Sequence, residues 1–226
     1  MPELTDVRDL TVAVLGGTGE QGQGLAYRLA GAGVHVVIGS RDPDRAAKSA
    51  AVLNDRLAPG NVVAGADNDE ASSRADVVVV AVPWSAHETT LRGLVERLAG
   101  KIVIDCVNPL GFDERGPHRL DVPHGSAAEQ AAAILPRSRV VGAFHHVSAS
   151  MLMDPNVTDL DMDVLVLGDD RASSDLVREL ASLMPGTRGI YGGRLRNCGQ
   201  VEAFTANLVA INRRYKVRSS IRITGL

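Results

Sequence analysis

The sequence TVAVLGGTGEQGQGLAYRLAGAGVHVVIGSR, residues 11–41, has the pattern of a β-strand, a glycine-rich turn, a helix and a second β-strand. The apolar run at residues 12–15 predicts a strand buried on both faces, and a second run at 34–38 closes a βαβ unit. Between them, Gly17, Gly19 and Gly22 have the G-x-G-x-x-G spacing of dinucleotide-binding turns. We assign Gly17 to the tight turn, Gly19 to the approach of a pyrophosphate and Gly22 to close helix packing. The backbone N–H groups at the helix start favour an anion there.

The end of the second strand indicates which nucleotide binds. Folds that prefer NAD place an Asp or Glu here to hold the ribose 2′-hydroxyl, and this chain has Gly39-Ser40-Arg41 instead. A hydroxyl and a guanidinium bind a 2′-phosphate, which a carboxylate would repel. Arg45 follows one helical turn later and is a further candidate, or a solvated helix charge. The pattern therefore predicts NADP.

Composition excludes several classes of protein. The chain has 226 residues, 45% of them hydrophobic and 23% charged, which is typical of a globular protein. Its formal net charge of −3 offers no electrostatic basis for binding nucleic acid or an acidic membrane. The two cysteines have no zinc-site spacing, so we expect no metal. Residues 1–10 contain no apolar signal core, and no apolar run approaches membrane-spanning length, so we expect a cytoplasmic protein without a membrane segment.

Strand and helix patterns alternate along most of the chain and predict an α/β fold. We expect a Rossmann-type parallel sheet with a smaller C-terminal α/β lobe, that is, an NADP-binding domain at 1–142 and a second domain at 143–226. The run VVVVAVP at 77–83 predicts a central strand whose carboxyl end meets the ligand edge of the sheet. Ser85 is expected to cap the next helix, 107–125 to be a long loop and 145–155 to be irregular.

The short C-terminal part argues against dehydrogenases that oxidise a hydroxyl. Many NADP-dependent hydroxyacid dehydrogenases follow a Rossmann half with a helical domain of more than about 100 residues, with a Lys-x-x-x-Asn pair in a late helix. Here about 84 residues follow position 142, and that pair is missing from the late helix. Oxidation of a hydroxyl needs a general base, and the sequence offers no supported candidate. We therefore expect a hydride transfer that needs no proton relay from the protein.

Further motifs, in order along the chain, resemble the NADPH-dependent reductases of coenzyme F420, also called F420H2:NADP oxidoreductases. The resemblance covers nearly the whole chain. It rests on the glycine motif and helix at 16–30, GSR at 39–41, VPW at 82–84, AFHHVSA at 143–149, GDD at 168–170 and Val201-Glu202. What it implies is reversible hydride transfer between nicotinamide and a deazaflavin, F420 being a co-substrate. It also implies a homodimer joined through the small lobe.

The resemblance further implies which residues bind the two coenzymes. The pyrophosphate would lie on the glycine turn, the 2′-phosphate on the end of the second strand, the nicotinamide against VPW, and the deazaflavin in a cleft between the lobes. His146 is the candidate for a deazaflavin contact or proton donor. The implied set is Gly17, Thr18, Gly19, Glu20, Gln21, Gly22, Ser40, Arg41, Arg45, Val82, Pro83, Trp84, Val107, Asn108, Pro109, His146, Val147, Ala149, Val201 and Glu202.

Two other functions remain compatible with these residues. A Rossmann half says little about the acceptor, so the chain could be an NADPH-dependent reductase of an imine, a quinone or a ferric chelate. It could also be a sensor that binds NADP without catalysis. The first predicts NADPH turnover with such an acceptor, and the second predicts binding without hydride transfer.

Overall fold

The computed structural model describes residues 6–226. Residues 1–5 lie outside the described residues. They belong to the predicted domain 1–142 and to residues 1–10, in which no signal core was found. The strands are β1 (Thr11–Leu15), β2 (His35–Ser40), β3 (Val63–Asp67), β4 (Val77–Val80), β5 (Ile102–Asp105), β6 (Leu110–Asp113), β7 (Gly116–Arg119), β8 (Arg139–Gly142), β9 (Met162–Gly168) and β10 (Thr187–Gly193). The helices are α1 (Glu20–Gly31), α2 (Pro43–Asn54), α3 (Asn68–Arg74), α4 (Trp84–Gly93), α5 (Val95–Leu98), α6 (Ala127–Ile134), α7 (Ala149–Leu152), α8 (Arg171–Ser182) and α9 (Cys198–Tyr215), with 3₁₀ turns at Val7–Asp9 and Leu195–Asn197.

One eight-stranded sheet carries the fold, in the order β10-β9-β8-β5-β4-β1-β2-β3. All neighbouring strands in it are parallel except β8 and β9, which are antiparallel. From β1 the chain moves outward to β2 and β3, and then returns to the other side of β1 to form β4. This reversal makes the carboxyl ends of β1 and β4 the point where such sheets bind ligands. The predicted Rossmann-type sheet is confirmed.

The central strands are buried on both faces. In β1, Val12 and Val14 face one layer of apolar side chains, and Ala13 and Leu15 face the other. The valines of β4 divide between the same two layers in the same alternating way. Because both faces are covered by helices, the strands have no polar alternation, as their sequences indicated.

The glycine turn after β1 is tighter than its spacing alone shows. Gly16, with φ of +76°, makes the left-handed step, and a Cβ there would lie 2.6 Å from the carbonyl oxygen of Ala81. From the sequence, the tight turn was expected at Gly17. The structure gives positive φ angles at several described glycines, but Gly17 is not one of them. A Cβ on Gly17 would instead meet Ile38 Cγ2 at 2.6 Å. Gly17 is therefore needed for packing against β2, and Gly16 for the turn.

Three local expectations are corrected. Ser85 does not cap α4, because Pro83 is the N-cap residue and the helix already begins at Trp84. The expected loop 107–125 contains a hairpin of β6 and β7, and the segment expected to be irregular contains α7. Both elements are too short for their periodicity to show in the sequence.

Residues 143–226 add β9 and β10 to the same sheet, and the end of the chain then packs against β9. The backbone N–H of Asp163, in β9, donates to the carbonyl of Ile221 at 2.8 Å, and the N–H of Ile223 donates to the Asp163 carboxylate at 2.6 Å. Arg188 donates to both oxygens of that carboxylate. We call residues 217–226 the C-terminal tail. The division at residue 142 stays a prediction.

Within residues 6–226, none of the helices is long and apolar enough to cross a membrane.

Candidate functional site

A cavity of about 390 Å³ lies at the carboxyl ends of β4, β5 and β8, next to the point where the order of strands reverses. We call it the cleft. Its walls come from the start of α1, the end of β4, the loop after β5, the segment after β8, helix α9 and the C-terminal tail. The lining is Gln21, residues 81–84, 106–108 and 145–149, Thr205, Leu208, Val209, Asn212 and Ser219. The N-terminal and C-terminal parts of the chain therefore both contribute to it.

A second cavity, of about 510 Å³, lies between the ends of β2 and β3 and helix α4. Ser40 and Arg41 line it, as does Asn68, whose Oδ1 is shielded from solvent and has no hydrogen-bond partner within the described residues. Asp67 and Asp69 also line it, but Asp67 caps α3 and Asp69 binds Arg97 at 2.8 Å. Both carboxylates thus have partners of their own, and the guanidinium of Arg41 and the orphaned amide oxygen remain for a ligand.

The glycine turn lies near both cavities, because Gln21 just after it lines the cleft and the N–H of Gly17 donates to the carbonyl of Gly39, next to Ser40 of the second cavity. Gly19 is the N-cap residue of α1, and no side chain accepts a hydrogen bond from the first turn of that helix. A Cβ on Gly19 would approach only the carbonyl oxygen of Gly16, at 3.4 Å, so the space above the turn is open. By contrast, a Cβ on Gly22 would lie 2.5 Å from the same oxygen, which shows how closely α1 packs on the turn. A dinucleotide with its pyrophosphate on this turn fits, because each half would reach one cavity.

Comparison with known proteins agrees with this geometry. A family model described as "NADP oxidoreductase coenzyme F420-dependent" matches residues 11–109. An F420-dependent NADP reductase of Methanothermobacter thermautotrophicus is 40% identical over 229 residues, covering 99% of this chain and 98% of that protein. That of Methanothermobacter marburgensis is 41% identical, covering 96% and 99%. The chain belongs to the F420-dependent NADP reductases.

A solved structure supports the same relationship. The crystal structure of a candidate F420-dependent NADP reductase from Arthrobacter sp. FB24 superposes with a TM-score of 0.79 at 28% identity, covering 95% of this chain and 99% of that one. The family resemblance predicted from the sequence motifs is confirmed. The assignment of individual site residues, described next, is not tested by these comparisons.

The cleft brings together nine of the twenty residues that the family motifs pointed to. Those that line it are Gln21, Val82, Pro83, Trp84, Val107, Asn108, His146, Val147 and Ala149. Arg45 is exposed and lies outside the lining of the second cavity. Pro109 and Glu202 line a smaller cavity of about 170 Å³ between the β7–α6 loop and α9. Coenzyme contacts by all of the predicted residues, including Arg45, Pro109, Val201 and Glu202, remain predictions.

Two adjacent histidines differ in their surroundings. The His145 side chain is fully buried, and neither ring nitrogen has a hydrogen-bond partner within the described residues. Burial lowers the pKa of His145 to about 4, so the ring is neutral at pH 7. His146 donates from Nε2 to the carbonyl of Val201 at 2.7 Å, and burial lowers its pKa as well. Since its only ring proton is engaged, this geometry favours His146 as a contact rather than as a proton donor.

Glu202 does not line the cleft, and its carboxylate binds backbone groups at the start of helix α6. Its carboxylate accepts the backbone N–H groups of Ala127 at 2.8 Å and Ala128 at 3.1 Å. It thereby caps the start of α6 from α9. Burial raises the pKa of Glu202 to about 7, against the effect of these hydrogen bonds.

Sequence reasoning missed a group of buried polar residues beneath the cleft. His87 in α4 contacts Asp105 at the end of β5 and Gln130 in α6. Burial, the largest single effect, lowers the pKa of His87, but the hydrogen bond and negative charge of Asp105, together with Gln130 and Glu202, outweigh it and raise the pKa of the ring. The only signal in the sequence is Asp105 itself, a carboxylate that ends an apolar strand at the ligand edge of the sheet. Nothing in the sequence links it to His87.

The C-terminal wall of the cleft was also missed. Thr205, Asn212 and Ser219 bring polar atoms to the cleft. From this part of the chain, the family motifs had pointed only to Val201 and Glu202. Thr205 donates to Oδ1 of Asn108 at 3.1 Å, and Asn212 Oδ1 accepts the N–H of Ser219. The helical spacing of Thr205 and Asn212 in α9 is visible in the sequence, but the face of the helix that meets the cleft is set by packing.

Proposed function

We propose that this protein catalyses reversible hydride transfer between NADP(H) and the deazaflavin coenzyme F420. The observation that carries the proposal is the composition of the cleft lining. None of the described residues that line it is an Asp, Glu, Lys or Arg, and its two histidines are held neutral by burial. Cys106 is a protonated thiol there, because burial raises its pKa. Such a lining suits a reaction between two stacked rings better than acid–base chemistry on a substrate.

When bound, NADPH supplies the hydride and the deazaflavin accepts it. The protein's contribution is to hold both rings at reactive distance and to exclude water. Residues that follow β4, including Trp84, form one side of the cleft together with Gln21, which follows the glycine turn. Asn108, His146 and Thr205 form part of the opposite wall, which we assign to the deazaflavin. The family relationship supports the choice of this acceptor.

The second cavity is assigned to the adenosine half of NADP(H). Arg41 would bind the 2′-phosphate, with Ser40 beside it and Arg45 on the exposed side of α2. Asn68 Oδ1, an acceptor without a partner, would accept a hydrogen bond from the nucleotide. The end of β2 has Ser40 and Arg41 where NAD-binding folds place the carboxylate that holds the ribose 2′-hydroxyl, which supports NADP over NAD.

The protein is further proposed to be a cytoplasmic homodimer joined through α9. Phe204, Ile211 and Tyr215 are exposed apolar residues on this helix, and a groove of about 420 Å³ separates it from β7. An exposed apolar face of this kind is typical of a subunit contact. Sedimentation equilibrium tests the proposal, and a monomer at micromolar concentration would reject it.

The activity is tested by mixing the purified protein with NADPH and oxidised F420 and following loss of the deazaflavin's visible absorbance. We expect rapid bleaching with NADPH and slow bleaching with NADH at equal concentration. Equal rates with both would retain the acceptor and reject the assignment of Ser40 and Arg41. NADPH binding without bleaching would reject the acceptor, and an imine, a quinone and a ferric chelate would then be tried in its place.

A further inference from the structure

Three buried polar side chains lie beneath the cleft and none of them lines it. They are His87, Asp105 and Gln130, which are at most 7% exposed. His87 Nε2 lies 2.7 Å from Asp105 Oδ2, and His87 Nδ1 lies 2.8 Å from Gln130 Oε1. Each ring nitrogen thus lies within hydrogen-bond distance of an oxygen, and the carboxylate of Asp105 favours the protonated ring, which would form a buried ion pair with it. We call these three residues the buried triad.

The triad connects to one part of the cleft lining through Asp105. Its second oxygen, Oδ1, accepts the backbone N–H of Val107 at 3.0 Å. The next residue, Asn108, donates to the carbonyl of His145 at 3.0 Å and accepts from Thr205. The carboxylate of Asp105 thus fixes the loop after β5, and Asn108 in that loop binds the segment after β8 and helix α9.

The triad connects to a neighbouring part of the lining through His87. This residue lies one turn into α4, the helix that begins at Trp84. The two rings have centroids 5.4 Å apart and are tilted by 34°. The start of α4 and the loop after β5 are therefore linked by one hydrogen-bonded side-chain contact.

Stability alone does not account for such a contact. Removing two charges from water costs free energy that their attraction only partly returns, and apolar side chains of similar volume are often as stable. The hydrogen bonds have a different consequence, because they define one relative position of the two segments. Hydride transfer is sensitive to displacements of about 1 Å, which can cost about 100-fold in rate.

We propose that His87 and Asp105, supported by Gln130, are positioning residues that fix Trp84 relative to Val107 and Asn108 for the hydride-transfer step. The inference rests on the proposed function, since it assigns the two segments to opposite partners of that transfer. The three residues of the buried triad do not line the cleft, so they would act on the coenzymes only through Trp84, Val107 and Asn108.

The test compares three variants in the intact protein. Asp105→Ala removes the bonds to His87 and Val107, and we expect kcat to fall by about 100-fold while the KM for NADPH changes by less than about threefold. Asp105→Asn can still accept from Val107 and can donate to a neutral His87, so we expect most of the kcat to be retained. His87→Gln keeps one donor toward Asp105 and should have an intermediate kcat.

The matched control is Thr187→Val. Thr187 is buried in β10, and its hydroxyl donates to the carbonyl of Met184 at 2.8 Å, outside the cleft lining. This variant loses a buried hydrogen bond, so it should lose stability but keep its kcat. With NADPH deuterated at C4, the kinetic isotope effect on kcat should rise in Asp105→Ala, because the hydride step becomes rate-limiting, and should be unchanged in the control.

A second measurement needs no F420. Trp84 is the only tryptophan in the sequence, and a protonated imidazole beside an indole quenches its fluorescence. Fluorescence should therefore increase in His87→Gln and stay constant in Thr187→Val. A folded His87→Gln with wild-type kcat, isotope effect and fluorescence would overturn the proposal, as would a loss of activity in Asp105→Ala that lies wholly in KM. If the wild type itself fails to reduce F420, the proposed function is rejected, and the fluorescence comparison still tests the contact of His87 with Trp84.

Discussion

At the scale of single residues, the difference between Arg41 and Arg45 is the clearest consequence of the structure. Both follow β2, and the sequence made both candidates for the 2′-phosphate of NADP(H). Arg41 lines the second cavity beside Ser40, whereas Arg45 lies on the exposed side of α2. Ser40 is itself held in place, since its hydroxyl accepts the backbone N–H of Asp42 at 3.2 Å. We therefore expect the two arginines to contribute unequally.

Arg41→Ala should raise the KM for NADPH by about 10- to 100-fold, because hydrogen bonds to a charged group are worth about 1.5–3 kcal/mol. The KM for NADH should stay within about twofold of the wild type, since NADH has no 2′-phosphate. Steady-state kinetics with both nucleotides measure this.

Arg45→Ala is the matched control and should change the KM for NADPH by less than about threefold, as expected for an exposed charge. A larger effect for Arg45→Ala than for Arg41→Ala would mean that Arg45 makes the main contact with the phosphate.

At the scale of elements, the site depends on how closely α1 meets the glycine turn. A Cβ on Gly22 would lie 2.5 Å from the oxygen of Gly16 and 2.7 Å from Cα of Gly17. Both are backbone atoms, so no side chain can rotate away to make room. The helix start, with its N–H groups, is therefore held at a fixed distance from the turn.

Gly22→Ala should destabilise the protein by about 1–3 kcal/mol, the usual cost of overpacking, and weaken NADPH binding because the turn must shift. Chemical denaturation and NADPH titration measure the two effects.

Gly31→Ala in the same helix is the matched control, because its Cβ would meet only Cδ2 of Leu57, at 3.8 Å. It should bind NADPH as the wild type does, with a stability equal to the wild type or up to about 1 kcal/mol higher. Wild-type NADPH affinity in Gly22→Ala would show that the turn tolerates the displacement.

At the scale of the whole molecule, the cleft is complete only because the C-terminal tail returns to the sheet. Asp163 in β9 is central to this return. Its buried carboxylate binds Arg188 of β10 at 2.7 Å and 2.8 Å and accepts the N–H of Ile223. The same tail brings Ser219 to the cleft. A change at Asp163 should therefore affect both stability and the cleft.

Asp163→Asn should lower the free energy of unfolding at pH 7 by about 1–3 kcal/mol, because charge-assisted hydrogen bonds are lost. The hydrogen bond from Arg188 holds the pKa of Asp163 below its usual value, against the effect of burial. A lowered folded-state pKa means that this stabilisation is present above the unfolded value, about 3.9, and is lost as the pH falls through the folded pKa. The difference between wild type and variant should thus shrink below about pH 4.

Asp169→Asn is the control, since Asp169 pairs with Arg194 at 3.9 Å and both side chains are mostly exposed. Urea denaturation at pH 7 should show a change of less than about 1 kcal/mol for it. A difference for Asp163→Asn that does not depend on pH would contradict the assignment of its stabilising effect to the ionised carboxylate.

The βαβ unit, the α/β class and the choice of nucleotide were predictable because their signals lie close together in the chain. Glycine spacing, apolar runs and the residues after β2 act within about 30 residues of one another. The family motifs also pointed to nine of the eighteen residues that line the cleft, all of them between Gln21 and Ala149. The short elements β6, β7 and α7 were not predicted, because each has only four residues and so shows no hydrophobic periodicity in the sequence.

The buried triad and the C-terminal wall of the cleft needed the tertiary structure. His87 is 18 residues from Asp105 and 43 from Gln130, and their contact depends on β4, β5 and α6 lying side by side. The family motifs predict a coenzyme contact for Glu202, which stays a prediction, and only the structure shows that its carboxylate binds two backbone N–H groups at the start of α6. Local patterns specify strands and turns through backbone conformation, whereas pairs of distant buried polar groups form only where strand order and helix packing bring them within hydrogen-bonding distance.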